Sequence, residues 1–431
     1  MSVDTTNLEV QLRTALSRYP AAGRLWLGFS GGLDSTVLLH LLASQGVPFT
    51  ALHVHHGLSA NADEWLDHCE REAARLSVPF VAQQVQVNGD AGGIEQGARE
   101  ARYRVFNEYM VAGDQLLLAH HGDDQVETFL LRLLRGAGVL GLAAMGVHRR
   151  MAEDRSVLRP LLEATRADLE NYAHHHHLSW IEDESNNDLS FERNYLRRSV
   201  TPALAARWPV AGRVARATEN LREAADLLAE MAVGDLAHCD HRSERFGESI
   251  DLSAMRALSP ARQRNLLRYW FGLHGDSMPQ ASHLNQVLEQ MEAAADACPT
   301  IEIASKVIRR YRDRLYLTPQ LPSGDGRHGE QVWRWDGVGR LQLPGGWALL
   351  AGDGWPPGDY RVQFRRGGER AHPVARPHSQ SLKKLLQEYV LEPWLRDSVP
   401  LVYRDGTLLA VGDLFVTAGG PPAPPLWRFS D

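Results

Sequence analysis

Near the start of the chain, Ser30-Gly31-Gly32-Leu33-Asp34-Ser35 brings hydroxyls, glycines and a carboxylate into one tight run. Ahead of it, Leu25, Trp26, Leu27 and Phe29 read as a short buried strand; behind it, Val37, Leu38, Leu39, Leu41 and Leu42 recur at helical spacing. A glycine turn between strand and helix lets the backbone approach a ligand closely, and the free N–H groups of the helix start attract an anion. No lysine follows, so this is not the G-x-x-x-x-G-K-[ST] loop that holds β- and γ-phosphates. The competing reading is an ordinary glycine-rich turn.

Two further clusters carry polar chemistry. His53, His55, His56 and Gly57 close an apolar run from Phe49, where a strand end followed by glycine suits either a ligand rim or a plain turn. In His120-His121-Gly122-Asp123-Asp124-Gln125-Val126-Glu127-Thr128, the side chains of Asp124, Glu127 and Thr128 share one helical face. Acids at a helix start also offset its dipole, so a structural reading stands beside the functional one. A zinc site at His120, His121 and Asp124 is a third option.

The elements that must position these groups alternate. Strands are expected at Leu25 to Phe29, Phe49 to His55, Phe80 to Val87 and Gln115 to Ala119, with helices after Asn61, from Ile94 to about Ala112 and from Asp123 to Arg135. Strands separated by long helices imply a doubly wound parallel sheet with its ligand site beyond the strands' carboxyl ends. Residues 213–297 show helical periodicity and no strand signal. A short strand pair is expected at Ile301 to Ile303 and Leu315 to Leu317, around a basic run. The expected organisation is an α/β catalytic domain at 1–212, a mainly helical domain at 213–318, a linker at 319–357 and a small α+β domain at 358–431. The histidine tract from His174 to His177 points its side chains to different faces, which suits no shared metal.

The 431 residues carry 46 basic and 53 acidic side chains, a formal net charge of −7 that gives no sign of a nucleic-acid partner yet is silent about local patches. Cys69, Cys239 and Cys298 lie far apart, which argues against a zinc ribbon or a disulfide framework and suits a reducing cytoplasm. No apolar run approaches a membrane span, and no secretory signal opens the chain.

The Ser30 to Ser35 run resembles the pyrophosphate loop of the N-type ATP pyrophosphatases. Taken with Leu52-His53-Val54-His55-His56-Gly57-Leu58, the Ala119 to Thr128 segment, Leu130 to Gly136, Arg159-Pro160-Leu161-Leu162, Asp183-Glu184-Ser185-Asn186 and Arg193-Asn194-Tyr195-Leu196-Arg197, the chain resembles the tRNA(Ile)-lysidine synthase family. The likeness resumes at Leu382-Lys383-Lys384, Pro393-Trp394-Leu395-Arg396 and Gly412 to Val416. It implies that lysine is joined to the wobble cytidine of the CAU-anticodon isoleucine tRNA, with ATP cleaved to AMP and pyrophosphate. Ser30, Gly31, Gly32, Leu33 and Ser35 then hold pyrophosphate, Asp34 holds Mg²⁺, and His53, His55 and Gly57 face the nucleoside. Asp124 and Glu127, with His121 beside them, receive the lysine cation and help remove its proton, which makes them catalytic together with Asp34; the role goes to Asp124 rather than Asp123, whose position in the family is variable.

RNA contact requires a basic surface. Candidates are Arg193 and Arg197 beside the active half, Arg309 and Arg310 in the basic run, and Lys383 and Lys384 in the tail, each of which could equally be a solvated face. A homodimer is left open. The alternatives are another enzyme of the same ATP chemistry, such as a tRNA thiolase, an amidotransferase or a small-molecule ligase, and a non-catalytic nucleotide-binding RNA protein. Thiolation wants reactive paired cysteines, an amidotransferase a glutamine-hydrolysing half, and a sensor no intact acids in both clusters; none of these fits the chain.

Overall fold

The computed structural model describes residues 6–59, 61–87, 93–151, 154–184, 188–274, 281–291, 300–303, 305–321 and 331–429. Ser185, Asn186 and Cys298 lie outside them. The chain forms two compact units, Met1–Leu228 and Ala229–Asp431, which divide within the long helix Val210–His238.

The first unit runs α1 (Thr6–Arg18), β1 (Leu25–Gly28), α2 (Leu33–Ser44), β2 (Thr50–His55), α3 (Ala62–Arg75), β3 (Phe80–Gln84), α4 (Gly93–Tyr109), β4 (Gln115–Leu117), α5 (Gly122–Leu134), α6 (Val139–Leu142), β5 (His148–Arg150), β6 (Ser156–Leu158) and α7 (Arg166–His175). The sheet order is β3-β2-β1-β4-β6-β5, parallel except for β5. Strand order reverses between β1 and β4, which opens a crevice at their carboxyl ends.

Alternation along the strands divides the core between two faces. Leu27 of β1 and Leu117 of β4 join α1, α2, α3 and α7 on one face. Trp26 and Leu116 join Val105 and Phe106 of α4 and Met110 just after it on the other. Helix α2 is apolar nearly all round because neighbours enclose it; Val37, Leu38, Leu39, Leu41 and Leu42 are all buried.

In the second unit the reading of 213–297 as strandless is corrected. Arg242–Glu244 and Gly247–Asp251 pair into a five-stranded sheet with Arg314–Pro319, Lys306–Tyr311 and Thr300–Ile303. The basic run is thus itself a strand, and helices Pro260–Gly272 and Ala281–Met291 close a core around Trp270 and Phe271. The linker is also corrected. Trp333–Trp335, Leu341–Gln342 and Trp347–Leu350 are strands, the last paired with Leu426–Phe429, and Trp335, Trp347 and Trp355 are buried in the core of the tail. Glycine and proline there shape tight turns between strands rather than a tether.

One buried carboxylate ties β1 to the turn before β4. Asp114, 1% exposed, accepts from the Arg24 amide (2.8 Å), the Trp26 indole (2.9 Å) and the Val111 amide (3.1 Å). Burial opposes its ionisation, but these donors and the Arg24 guanidinium outweigh it and hold the carboxyl below its usual range. Its stabilisation is therefore present above the unfolded-state value and is lost as pH falls through the folded one. Asp114→Ala is expected to lower the urea-unfolding free energy by about 3 kcal/mol at neutral pH. The difference from wild type should shrink in titrations below about pH 4.

Candidate active site

The turn between β1 and α2 is built to leave amides free. Gly31 adopts φ +81°, and a Cβ there would lie 2.7 Å from both Cys69 Sγ and Ile181 Cδ1. Its carbonyl accepts from the Ile181 amide (2.9 Å), which fixes the turn against the chain beyond α7. Gly32 is the N-cap of α2, with no side-chain cap on the first amides. Ser35 Oγ donates to Gly32 O (3.0 Å) and lies 3.1 Å from Ser30 Oγ. Leu33 is 3% exposed, so only its backbone is available. An uncapped helix start ringed by hydroxyls is an anion site, and it sits at the crevice.

Asp34, in the first turn of α2, is 30% exposed. Arg166 Nη1 lies 3.0 and 3.3 Å from its oxygens, and His121 Nε2 is 3.6 Å away. Mg²⁺ is usually held by one or two carboxylates, with phosphates and water filling its remaining positions. A single accessible carboxylate beside an anion site fits that demand. Among the described residues, no three His, Cys, Asp or Glu side chains gather to hold a metal by themselves.

Helix α5 begins at the end of β4, with His121 as its N-cap and Asp124 Oδ2 accepting from the His121 amide (3.1 Å). His121 is 2% exposed; Nε2 is 3.5 Å from Asp124 and Nδ1 3.5 Å from Asp123. Burial opposes its charge, but hydrogen bonds to Asp123 and Asp34 and the Asp124 charge outweigh burial and raise the ring to about 10. Nδ1 is also 3.3 Å from the Asp123 amide, a contact suited to a neutral cap. Three carboxylates, those of Asp34, Asp123 and Asp124, lie around the ring.

The acids assigned to lysine and the arginines assigned to tRNA meet each other. Arg193 Nε donates to Glu127 (2.7 Å) and Nη2 to Asp124 (2.9 Å); Arg197 Nε donates to Glu127 (2.6 Å) and Nη2 to Asp124 (3.1 Å). Arg193 lies on the short helix Glu192–Tyr195 and Arg197 in the π-turn Leu196–Val200, one turn apart. Burial works against the Asp124 charge, yet His121, Arg193, His120 and Arg197 hold the carboxyl near 2. Glu127 is 1% exposed.

Other assignments need correction. His53 and His55 are each 6% exposed and offer no ring to a nucleoside. His53 Nδ1 bonds to Phe29 O (2.9 Å), behind the glycine turn, and His55 Nε2 to Asp63 (3.0 Å) on α3. Residues two apart on a strand share a face, and this face is the packed one. Gly57, at φ +64°, lies in open space. Arg310 is 4% exposed and donates to Met291 O, out of reach of a phosphate. Arg309 is half-buried over Trp394, whereas Lys383 and Lys384 are exposed on helix Leu382–Glu388. Sequence reading missed Arg166 and the backing of Gly31 by Cys69 and Ile181; only the Thr165–Asp168 capping box of α7 marked that helix start.

Gly31→Ala combines a left-handed backbone with a blocked Cβ, and is expected to lower unfolding free energy by about 2 kcal/mol or more. Gly32→Ala, whose Cβ meets nothing nearer than 3.7 Å, should melt like wild type in the same thermal scan.

Residues 4–204 match the family model of the PP-loop domain, 250–316 that of the TilS substrate binding domain and 360–429 that of the TilS substrate C-terminal domain. A tRNA(Ile)-lysidine synthase of Pseudomonas aeruginosa is 44% identical over 421 residues, covering 94% of this chain and 93% of the relative. One from Serratia proteamaculans is 40% identical over 435 residues, covering 97% and 98%. One from Coxiella burnetii is 39% identical over 401 residues, covering 89% and 87%. With likeness at this level over nearly the whole chain, the chain belongs to the tRNA(Ile)-lysidine synthase family.

Proposed function

We propose that the protein joins free L-lysine to C2 of the wobble cytidine in a CAU-anticodon isoleucine tRNA. The observation that carries this reading is the meeting of an uncapped, hydroxyl-ringed helix start with buried acids at one sheet edge. The names of the near-full-length relatives support it.

Cytosine O2 is a poor leaving group until it is esterified. Its attack on the α-phosphorus of ATP releases pyrophosphate and leaves the oxygen bonded to AMP. The lysine ε-amine then attacks C2, the C2–O2 bond breaks, and AMP departs with that oxygen. Ser30, the free amides from Gly32 onward and Ser35 receive the departing pyrophosphate. Asp34 would hold Mg²⁺, whose chemistry there is to neutralise charge on those phosphates. Arg166, already against Asp34, lies within reach to share that work.

Lysine must lose a proton before it attacks, because an ammonium of pKa ~10.4 is no nucleophile. Asp124 and Glu127 receive that ammonium, and it competes with Arg193 and Arg197 for the same oxygens. A carboxyl held near 2 binds the cation well and is a weak base, so Asp124 serves binding rather than deprotonation. A thiolase reading is not favoured: burial pushes the Cys69 and Cys239 thiols up to about 12 and 11, where little thiolate forms.

Incubation of the protein with ATP, Mg²⁺, isotopically labelled lysine and the tRNA, followed by mass spectrometry of the anticodon nucleosides, tests the reading. Cytidine bearing labelled lysine, less one water, is expected at the wobble position. An unmodified cytidine, or AMP formed from lysine and ATP without tRNA, would overturn it.

A further inference from the structure

A set of cations on the opposite face of the sheet from α2 has no carboxylate partner among the described residues. Arg99, Arg102 and Tyr103 share a face of α4, three and four residues apart. The Arg99 guanidinium lies 5.0 Å from the Tyr103 ring centre, and that of Arg149, from β5, lies 5.8 Å from it. Arg159, after β6 and 4% exposed, donates to Gly146 O (2.9 Å). Arg99, Arg102 and Arg149 are all exposed, and among the described residues none of the three pairs with a carboxylate. The α5 acids Asp124 and Glu127 are taken by Arg193 and Arg197.

These groups act on one another. Although the Arg102 side chain keeps an exposed part, desolvation by the surrounding protein, then Arg99 and Arg193, hold it below the usual guanidinium range, against Tyr103; burial, Arg149 and Arg99 do the same to Arg159, also against Tyr103. Arg102 faces the crevice, where burial first and Arg102 second push His56 down to about 4. Like charges gathered without counter-ions raise the energy of the free protein, and a bound anion removes that cost.

We propose that Arg99, Arg102 and Arg149 form a phosphodiester-binding strip along which the single-stranded RNA loop of the substrate enters the crevice, an inference that rests on the tRNA reading above. A strip spread over α4 and β5 suits a run of backbone phosphates. A lone triphosphate already has its place at α2, whose helix packs on the other face. Tyr103, flanked by two guanidiniums, stiffens the strip rather than reading a base.

The test is titration of an unmodified CAU-anticodon tRNA transcript against full-length protein over a series of salt concentrations. Arg99→Gln with Arg149→Gln is expected to weaken binding about tenfold or more and to lower the slope of log affinity against log salt by roughly one per arginine removed. Arg102→Gln should do the same singly, and Arg102→Lys should restore the slope. ATP affinity should stay at its wild-type value in all of them. Wild-type tRNA affinity and slope in the glutamine variants would overturn the strip, as would a loss confined to ATP binding. A wild-type protein that binds no tRNA would instead overturn the functional reading itself.

Discussion

Charge balance at the carboxyl ends of β1 and β4 is the constraint on which the rest depends. Asp34, Asp123, Asp124 and Glu127 crowd one sheet edge, and His121, Arg166, Arg193 and Arg197 answer them. Buried carboxylates are tolerated only when paired and hydrogen-bonded, so the helix start at Glu192, the π-turn after it and the start of α7 are held in place by these pairs. The same pairs leave the site chemically primed: each acid that could take a substrate cation or Mg²⁺ is already holding a protein cation that substrate must displace or share. In the function proposed above, binding is therefore exchange of partners rather than filling of a void.

The sheet explains why the groups converge. Helices α2 and α4 pack on opposite faces, so the switch between β1 and β4 leaves a crevice flanked by the α2 amides on one side and α4 on the other. The first is fixed by Gly31, wedged against Cys69 and Ile181. The uncapped amides of α2, the acids of α5 and the basic face of α4, to which we assign anion, cation and RNA recognition, are thus placed by one topology.

What was legible in the sequence was local. The strands and helices from Leu25 to Leu134 follow from hydrophobic runs and caps, whereas α1 before them was not expected; the glycine turn and α5 acids stand out because their spacing along a few residues carries the meaning. Strands Arg242–Glu244 and Gly247–Asp251 escaped because their sequence is polar; Arg314–Pro319, which makes the second a strand, lies more than sixty residues away. The tryptophans at 335, 347 and 355 were hidden by the glycine and proline around them, though large aromatics in a loop are themselves a sign of burial. Arg193 and Glu127 are 66 residues apart, and no local pattern pairs them. That is why the arginines read as a free RNA surface. The cations of α4, without a carboxylate partner among the described residues, went unseen for the opposite reason: a lone arginine on a helix looks solvated until its surroundings are visible.

The central claim is that the Gly31 to Ser35 turn captures the phosphates. Crystals grown with Mg²⁺ and a non-hydrolysable ATP analogue test it directly through the difference density of the triphosphate. The account predicts β- and γ-phosphate density against the Gly32 to Ser35 amides, with the metal on Asp34. Density for the triphosphate anywhere else, with that turn empty, would contradict it.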